Sequence, residues 1–474
     1  MKISGVDIID YQQFKNFKLD FTYPLGHVKA GQPLDKVCFI GQSGTGKTTL
    51  LNLIRAIVSC GLIKENYLLP AMKDVWAETH FEGNINRHVH IKDGVAEVEN
   101  DRLDIKRKRK VNTKQLRQLA EQHYKDTNIL ISFPAEMNTN ISRIFRERRK
   151  IFRVSDTFRN FSEPSADVQE SSQDEDNLHL KFFDFEKNDV EEIWAAILKD
   201  IQAYKTEQLV FSNELANRID TRATEVETLI EKFKIWKEGN PNPLADLAQK
   251  LNKILYRFNL EIRSEFEFRS EDDLHFINLH QIKGEEIPNR FWSTGTKQII
   301  LTATPLFKLN TEKSIILIDE PERSLYPDVQ QEIVDYYSDF APKAQFFYAT
   351  HSPIVASSFD PWEIFELKFD PQTGNIVQES YLKEGQPRHI DNYKIYPKYL
   401  RWDSILQQVF DLENDGQNER ELKIRELSEL DVRLRTLRAQ KNGEPSPELE
   451  NLWNQFKKTA ELLDWKIPES YAKN

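Results

Sequence analysis

The sequence predicts an α/β fold, and three observations predict it. Short apolar runs at Val37–Ile40, Asn128–Phe133 and Ile315–Ile318 have the length and composition of strands buried on both faces, as in a parallel sheet. The first of them feeds a glycine-rich turn and then a helical pattern, with Leu51, Leu53, Ile54, Ile57 and Val58 at helical spacing. The flanking regions alternate or turn helical, which predicts an antiparallel β-subdomain, an inserted helical segment and a helical C-terminal region.

Taken in order, Ile3, Val6, Ile8 and Ile9, then Phe14, Phe17 and Leu19, predict two strands at the N-terminus. Partial alternation from Trp76 to Val98 predicts more β-structure. The stretch 155–176 is dominated by Ser, Glu, Asp and Gln and reads as a mobile loop. Val190–Trp236 is helical in pattern, and Gly239-Asn-Pro-Asn-Pro243 breaks it before a further helix at Leu244–Phe258. Strands are expected within Leu260–Leu279 and at Phe346–Thr350, and mostly charged helices over the last ninety or so residues.

The bulk composition narrows the function classes. The 474 residues carry a net charge of −11, with 30% charged and 39% hydrophobic residues. That balance suits a soluble, folded, multi-unit chain and argues against one that coats nucleic acid with its whole surface. No apolar run is long enough to cross a bilayer, and MKISGVDIID has no signal-peptide pattern. A cytoplasmic protein with no membrane partner is expected. The two cysteines, Cys38 and Cys60, lack metal-ligand spacing and fit a reducing interior.

The chemistry is concentrated in a few places. Gly41-Gln42-Ser43-Gly44-Thr45-Gly46-Lys47-Thr48 fits G-x-x-x-x-G-K-[ST], with a strand before it and a helix, Thr48–Ser59, after it, and Thr49 is expected at the nucleotide with the loop. Such a loop turns backbone N–H groups inward around phosphate oxygens, and the helix N-terminus adds positive potential. Lys47 is expected on the β and γ phosphates of ATP, and Thr48 on Mg²⁺. The run ending Asp319-Glu320-Pro321 places one carboxylate, Asp319, for Mg²⁺, and a second, Glu320, to polarise the attacking water. His351 follows another apolar run, Phe346–Ala349, at the same expected sheet edge, and a γ-phosphate contact is expected of it. Upstream, Trp292-Ser293-Thr294-Gly295-Thr296-Lys297-Gln298 opens an apolar helix, so Ser293 and Gly295 form a candidate anion site.

The order of these motifs resembles the ABC ATPase superfamily, in its soluble branch of RecF, SMC and OLD-type proteins. Phe14-Lys-Asn-Phe17 is similar to that branch's N-terminal strand motif. Glu320-Pro-Glu-Arg-Ser-Leu-Tyr-Pro327 resembles its D-E-P-E-x-x-L-H-P stretch, with Tyr326 in place of His, and Thr350-His-Ser-Pro353 matches T-H-S-P. The resemblance covers roughly residues 1–60 and 290–370. It implies an ABC-type P-loop NTPase core in two halves, 1–154 and 259–382, with an insertion at 155–258 and an interaction region at 383–474. It also implies a homodimer or higher homo-oligomer closed head to tail around ATP, with Ser293 and Gly295 of one subunit meeting Lys47 of another. The Gln usual after the intervening strand is missing from Phe133-Pro-Ala-Glu136, and Glu136 is its expected stand-in.

Within the branch, proteins without their own nuclease resemble anti-phage defence ATPases such as the Septu type, which implies a separate effector, a nuclease or toxin. A RecF- or SMC-like repair ATPase and a nucleotide-gated scaffold with little turnover are the alternatives. No nuclease motif follows His351; Asp411–Asp415 lies in a polar helical stretch. Lys106–Lys110 and Arg143–Arg153 are basic clusters that read either as a DNA or RNA footprint or as solvated charged faces. His80, His88 and His90 read as exposed strand histidines rather than metal ligands.

Overall fold

A computed structural model describes residues 2–59, 74–81, 85–92, 95–100, 128–135, 181–185, 189–218, 223–264, 277–309, 311, 314–379, 386–390, 396–408, 410, 418–440 and 446–467. Cys60, the basic clusters at 106–110 and 143–153, Glu136 and the polar stretch 155–176 lie outside the described residues. The chain divides into two compact units, Met1–Leu400 and Arg401–Asn474.

The first unit is built on one twelve-stranded sheet. Its strands are β1 (Ile3–Tyr11), β2 (Phe14–Asp20), β3 (Lys36–Gly41), β4 (Asp74–Phe81), β5 (Ile85–Lys92), β6 (Val95–Asn100), β7 (Asn128–Phe133) and β8 (Lys181–Asp184). They are joined by β12 (Ile315–Asp319), β13 (Gln345–Ala349), β14 (Ile364–Phe369) and β15 (Ile376–Gln378). The spatial order is β6-β5-β4-β1-β2-β15-β14-β3-β13-β12-β7-β8. From β14 to β8 every neighbouring pair is parallel. From β2 to β6 every pair is antiparallel. The expected parallel core and antiparallel β-subdomain are thus two halves of one hydrogen-bonded sheet, an α/β fold.

The parallel half follows from composition. All five residues of β12 and of β13 are buried, and so are the last five of β3. Such strands need helices on both faces. Helix α1 (Lys47–Ser59) packs Leu50, Leu51, Leu53 and Ile54 into the same core as Val37, Phe39, Leu317 and Phe347. Phe21 sits at its centre, edge-on to Phe347 and Phe365 at ring separations of 5.2 and 5.1 Å. Gln345 joins the two halves: its buried amide accepts from the Ile3 N–H at 2.7 Å and donates to the Ile3 and Leu34 carbonyls at 2.8 and 2.9 Å.

Between β8 and the rest of the core run α2 (Asp189–Arg218) and α3 (Ala223–Gly239), a helical pair with Phe211, Phe233 and Trp236 clustered between them. The expected break follows α3. Asn242 then caps α4 (Pro243–Leu255), its side chain accepting from the Leu244 N–H. A small second sheet contains β9 (Leu260–Ile262), β10 (Leu279–Gln281) and β11 (Glu286–Ile287). It leads into α5 (Thr294–Lys308), which α6 (Pro327–Phe340) and the single turn α7 (Pro353–Ala356) follow.

The second unit holds α8 (Trp402–Gln408), α9 (Asn418–Gln440) and α10 (Pro447–Leu462). Leu427, Leu430 and Leu434 of α9 bury against Phe456 and Ala460 of α10. No described helix is long and apolar enough to cross a membrane.

Candidate functional site

A parallel sheet delivers the carboxyl ends of its strands to one edge, and a site assembles from whatever the next residues are. Here β3, β12 and β13 lie side by side, with Asp319 opposite Ala349 and Ala349 opposite Phe39. The ladder continues past the strands. The Glu320 N–H donates to the Ala349 carbonyl at 2.8 Å, and the Thr350 N–H to that of Phe39 at 3.1 Å. Residues far apart in sequence, the Gly41–Thr48 loop, Asp319-Glu320 and Thr350-His351, therefore share one edge.

The loop has the backbone of a phosphate cradle. Gly41, Gly44 and Gly46 have φ of 142°, 85° and 81°, values closed to most side chains. Space enforces the same choice: a Cβ on Gly41 would meet the Leu367 carbonyl oxygen at 2.3 Å, and one on Gly46 the Phe14 ring at 2.9 Å. Inside the loop the Lys47 ammonium donates to the carbonyls of Gly41 and Gln42 at 2.8 and 3.0 Å. Thr45 is fully buried and its hydroxyl donates to the Gln42 carbonyl at 2.8 Å. Gln42, Ser43 and Gly44 form the exposed lip, and Thr49 follows Thr48 in the first turn of α1.

The electrostatics are those of a crowded, poorly solvated site. Burial lowers Lys47 to about 8, against the opposing pull of Asp319, Glu320 and Glu322. Burial, helped by neighbouring Glu320, raises Asp319 to about 6, while a hydrogen bond to the Thr48 side chain and the charge of Lys47 work the other way. His351 is pushed down by burial and by Lys47. Three carboxylates thus face one ammonium, and the two expected metal ligands, Thr48 and Asp319, are already bonded to each other. A hydroxyl and a buried carboxylate in a site short of positive charge are a donor set that suits Mg²⁺.

Ser293 caps α5: its hydroxyl accepts from the Thr296 N–H at 3.1 Å and lies 2.7 Å from the Thr296 hydroxyl. Gly295, in the first turn, is pressed against the segment that follows Asp319; a Cβ there would lie 2.4 Å from the Ser324 carbonyl oxygen. Ser293 itself is exposed. Among the described residues no group of three His, Cys, Asp or Glu side chains is placed to hold a metal; the side chains of His80 and His88 lie outside the described residues.

Sequence reasoning gave no role to three residues at this edge. Glu322 is named only as a letter of the D-E-P-E stretch, yet its carboxylate accepts the His351 N–H at 2.9 Å. Gln330 bonds both the Leu325 carbonyl and the Ser352 hydroxyl, at 2.8 and 2.6 Å. The Gln13 amide donates to the Gly44 carbonyl at 3.3 Å. For Glu322 the repeated acid was the available signal; nothing local marks the two glutamines.

Comparison with solved structures finds similarity to SMC head domains. One is an SMC head bound to the C-winged helix domain of ScpA, at 10% identity and a TM-score of 0.42, over 80% of this chain and 98% of that one. Another is the Pyrococcus furiosus SMC head with an extended coiled coil, bound to the C-terminal domain of ScpA: 14% identity, TM-score 0.41, 80% and 96% coverage. A third is the SMC head domain from Thermotoga maritima, at 12% identity, TM-score 0.38, and 80% and 98% coverage. Residues 1–356, which include the cradle, both carboxylates and His351, match the family described as the AAA ATPase domain, and the chain belongs to that family.

Proposed function

We propose that the chain is an ATP-hydrolysing engine of the ABC type, working as a nucleotide-driven sensor beside a separate effector such as a nuclease. The observation that carries this reading is the single sheet edge where the Lys47 cradle, the Thr48–Asp319 pair, Glu320 and His351 meet.

The roles follow from position. Backbone N–H groups of Gly41–Thr48 and the Lys47 ammonium hold the nucleotide's phosphates. Thr48 and Asp319 would hold Mg²⁺, which would supply charge neutralisation for the phosphates. Glu320 takes a proton from the attacking water, and His351 donates a hydrogen bond at the γ-phosphate. Ser293 and Gly295, on a separate helix N-terminus, complete the site of a second copy, so that nucleotide binding drives dimer closure and hydrolysis releases it.

The finer placement in anti-phage defence rests on resemblance alone, to members of this branch that lack a nuclease of their own and act beside one. In this reading residues 1–154 and 259–382 form the engine, 155–258 the insertion and 383–474 a docking region for the effector. The basic segments at 106–110 and 143–153 are proposed contacts for DNA or RNA. A RecF- or SMC-type maintenance ATPase is a second reading, against which stands the shortness of the α2–α3 pair inserted between the halves of the core. At 30 residues, α2 spans only about 45 Å.

Glu320→Gln tests the core of the proposal. It is expected to lower turnover about a hundredfold or more while keeping nucleotide affinity, and to accumulate an ATP-bound dimer in size-exclusion light scattering. Unchanged turnover, or a monomer with ATP bound, rejects the catalytic assignment or the closure model respectively.

A further inference from the structure

The segment after Asp319 does more than carry Glu320. Glu320 and Ser324 both have left-handed backbone, with φ of 48° and 61°, a conformation that side chains other than glycine keep only when the surroundings impose it. Two side chains tie this turn to the segment that follows β13. Glu322 reaches across to the end of β13, where its Oε1 accepts the His351 N–H at 2.9 Å and the Thr350 side chain bonds the same carboxylate. On the other side of the histidine, Gln330 accepts from the Ser352 hydroxyl at 2.6 Å and donates to the Leu325 carbonyl at 2.8 Å. His351 is therefore fastened, before and after, to the turn that presents Glu320.

Glu322 is an expensive way to fasten a loop. Its Oε2 is buried with no hydrogen-bond donor among the described residues, and a buried carboxylate oxygen left without a donor costs folding free energy. Costs of this kind persist at functional sites.

We propose that Glu322 is a positioning residue: it sets the His351 imidazole relative to Glu320, with Gln330 holding the other side. The proposal rests on the hydrolysis reading above. Glu322 touches neither phosphate nor water in this scheme and acts through the backbone of His351.

The test uses the full chain and steady-state ATP hydrolysis. Glu322→Ala, Glu322→Asp and Glu322→Gln are each measured alone and in a His351→Ala background, with Glu320→Gln as the control. Asp keeps the charge but falls one methylene short of the His351 N–H; Gln keeps both the reach and the acceptor. Expected are losses in kcat of about tenfold or more for Ala and Asp, with KM held within about threefold, and recovery of most turnover by Gln. Once His351 is removed, Glu322→Ala is expected to change kcat by less than about twofold, because residues acting as one unit are not additive. An equal loss in both backgrounds, full activity in Asp, or a Gln variant as impaired as Ala overturns the proposal. If Ala does not fold, the Asp and Gln variants decide by the same cycle. Normal hydrolysis by Glu320→Gln removes the catalytic reading itself, whereas the expected block there leaves the cycle reporting on Glu322 alone.

Discussion

At the scale of single residues, buried acids divide by what they touch. Asp319 and Glu322 lie at the nucleotide edge, but Glu363 does not. It ends the helical turn just before β14, in a capping box with Asp360, whose N–H its Oε2 accepts at 2.9 Å. Burial raises Glu363 from 4.5 to about 7, with Lys36 and Lys398 only partly offsetting it. The sign follows from linkage. A carboxyl raised on folding binds its proton more tightly in the native state, so stability falls as pH rises from the unfolded value towards the folded one, then levels off. Between pH 4.5 and 7 this group removes about 3 kcal/mol by the scale of 1.36 kcal/mol per unit. Glu363→Gln keeps an acceptor for the Asp360 N–H and never ionises. The variant is expected to be the more stable protein at pH 8, by up to that amount, and to match the parent near pH 4.5. Urea titrations at the two pH values check it; equal gaps at both would reject the assignment.

At the scale of elements, Gln345 is the clearest case of a side chain that builds a fold. Three buried backbone groups, the N–H and C=O of Ile3 and the C=O of Leu34, depend on its amide. Gln345→Leu fills the same space and leaves all three unpaired, each at about 1–3 kcal/mol, although the sheet would relax enough to keep the sum below simple addition. A loss of roughly 3–5 kcal/mol is expected, with amide exchange rising first in β1; a loss below about 1 kcal/mol would show that the strand finds other partners. Strands such as β3, β7, β12 and β13 were legible in the sequence because burial on both faces demands continuous apolar runs. In β14, IFELKF mixes Glu366 and Lys368 with its apolar residues because a salt bridge at 3.2 Å satisfies them within the sheet, so no such run marks it. The four residues of β8 and the three of β15 are too short to carry a period at all. The cradle, Asp319-Glu320 and His351 were legible because each follows a strand end. Glu322 and Gln330 were not legible as partners of His351 and Ser352, since their reach depends on β12 and β13 being neighbours.

At the scale of the whole molecule, each of the two compact units has an apolar core of its own. The first joins Val37, Phe39 and Leu317 of the sheet to Leu50 and Leu53 of α1, in the unit that also carries every residue of the candidate site. The second, Leu427, Leu430 and Leu434 with Phe456 and Ala460, belongs to α9 and α10. Two cores predict two units of stability. Removal of residues 401–474 is therefore expected to leave the thermal transition of the first unit within about 2 °C of its place in the full chain, since loss of even 1 kcal/mol moves a large domain by roughly 2–4 °C. Nucleotide affinity should persist, because no residue of the cradle lies past 400. If residues 383–474 dock the effector, the same truncation abolishes effector binding while turnover survives. Calorimetry and ATP hydrolysis on the shortened chain separate the cases. A transition lowered by 5 °C or more would mean that the second unit is part of the engine's folding, and the division between a catalytic core and a docking region would then fall.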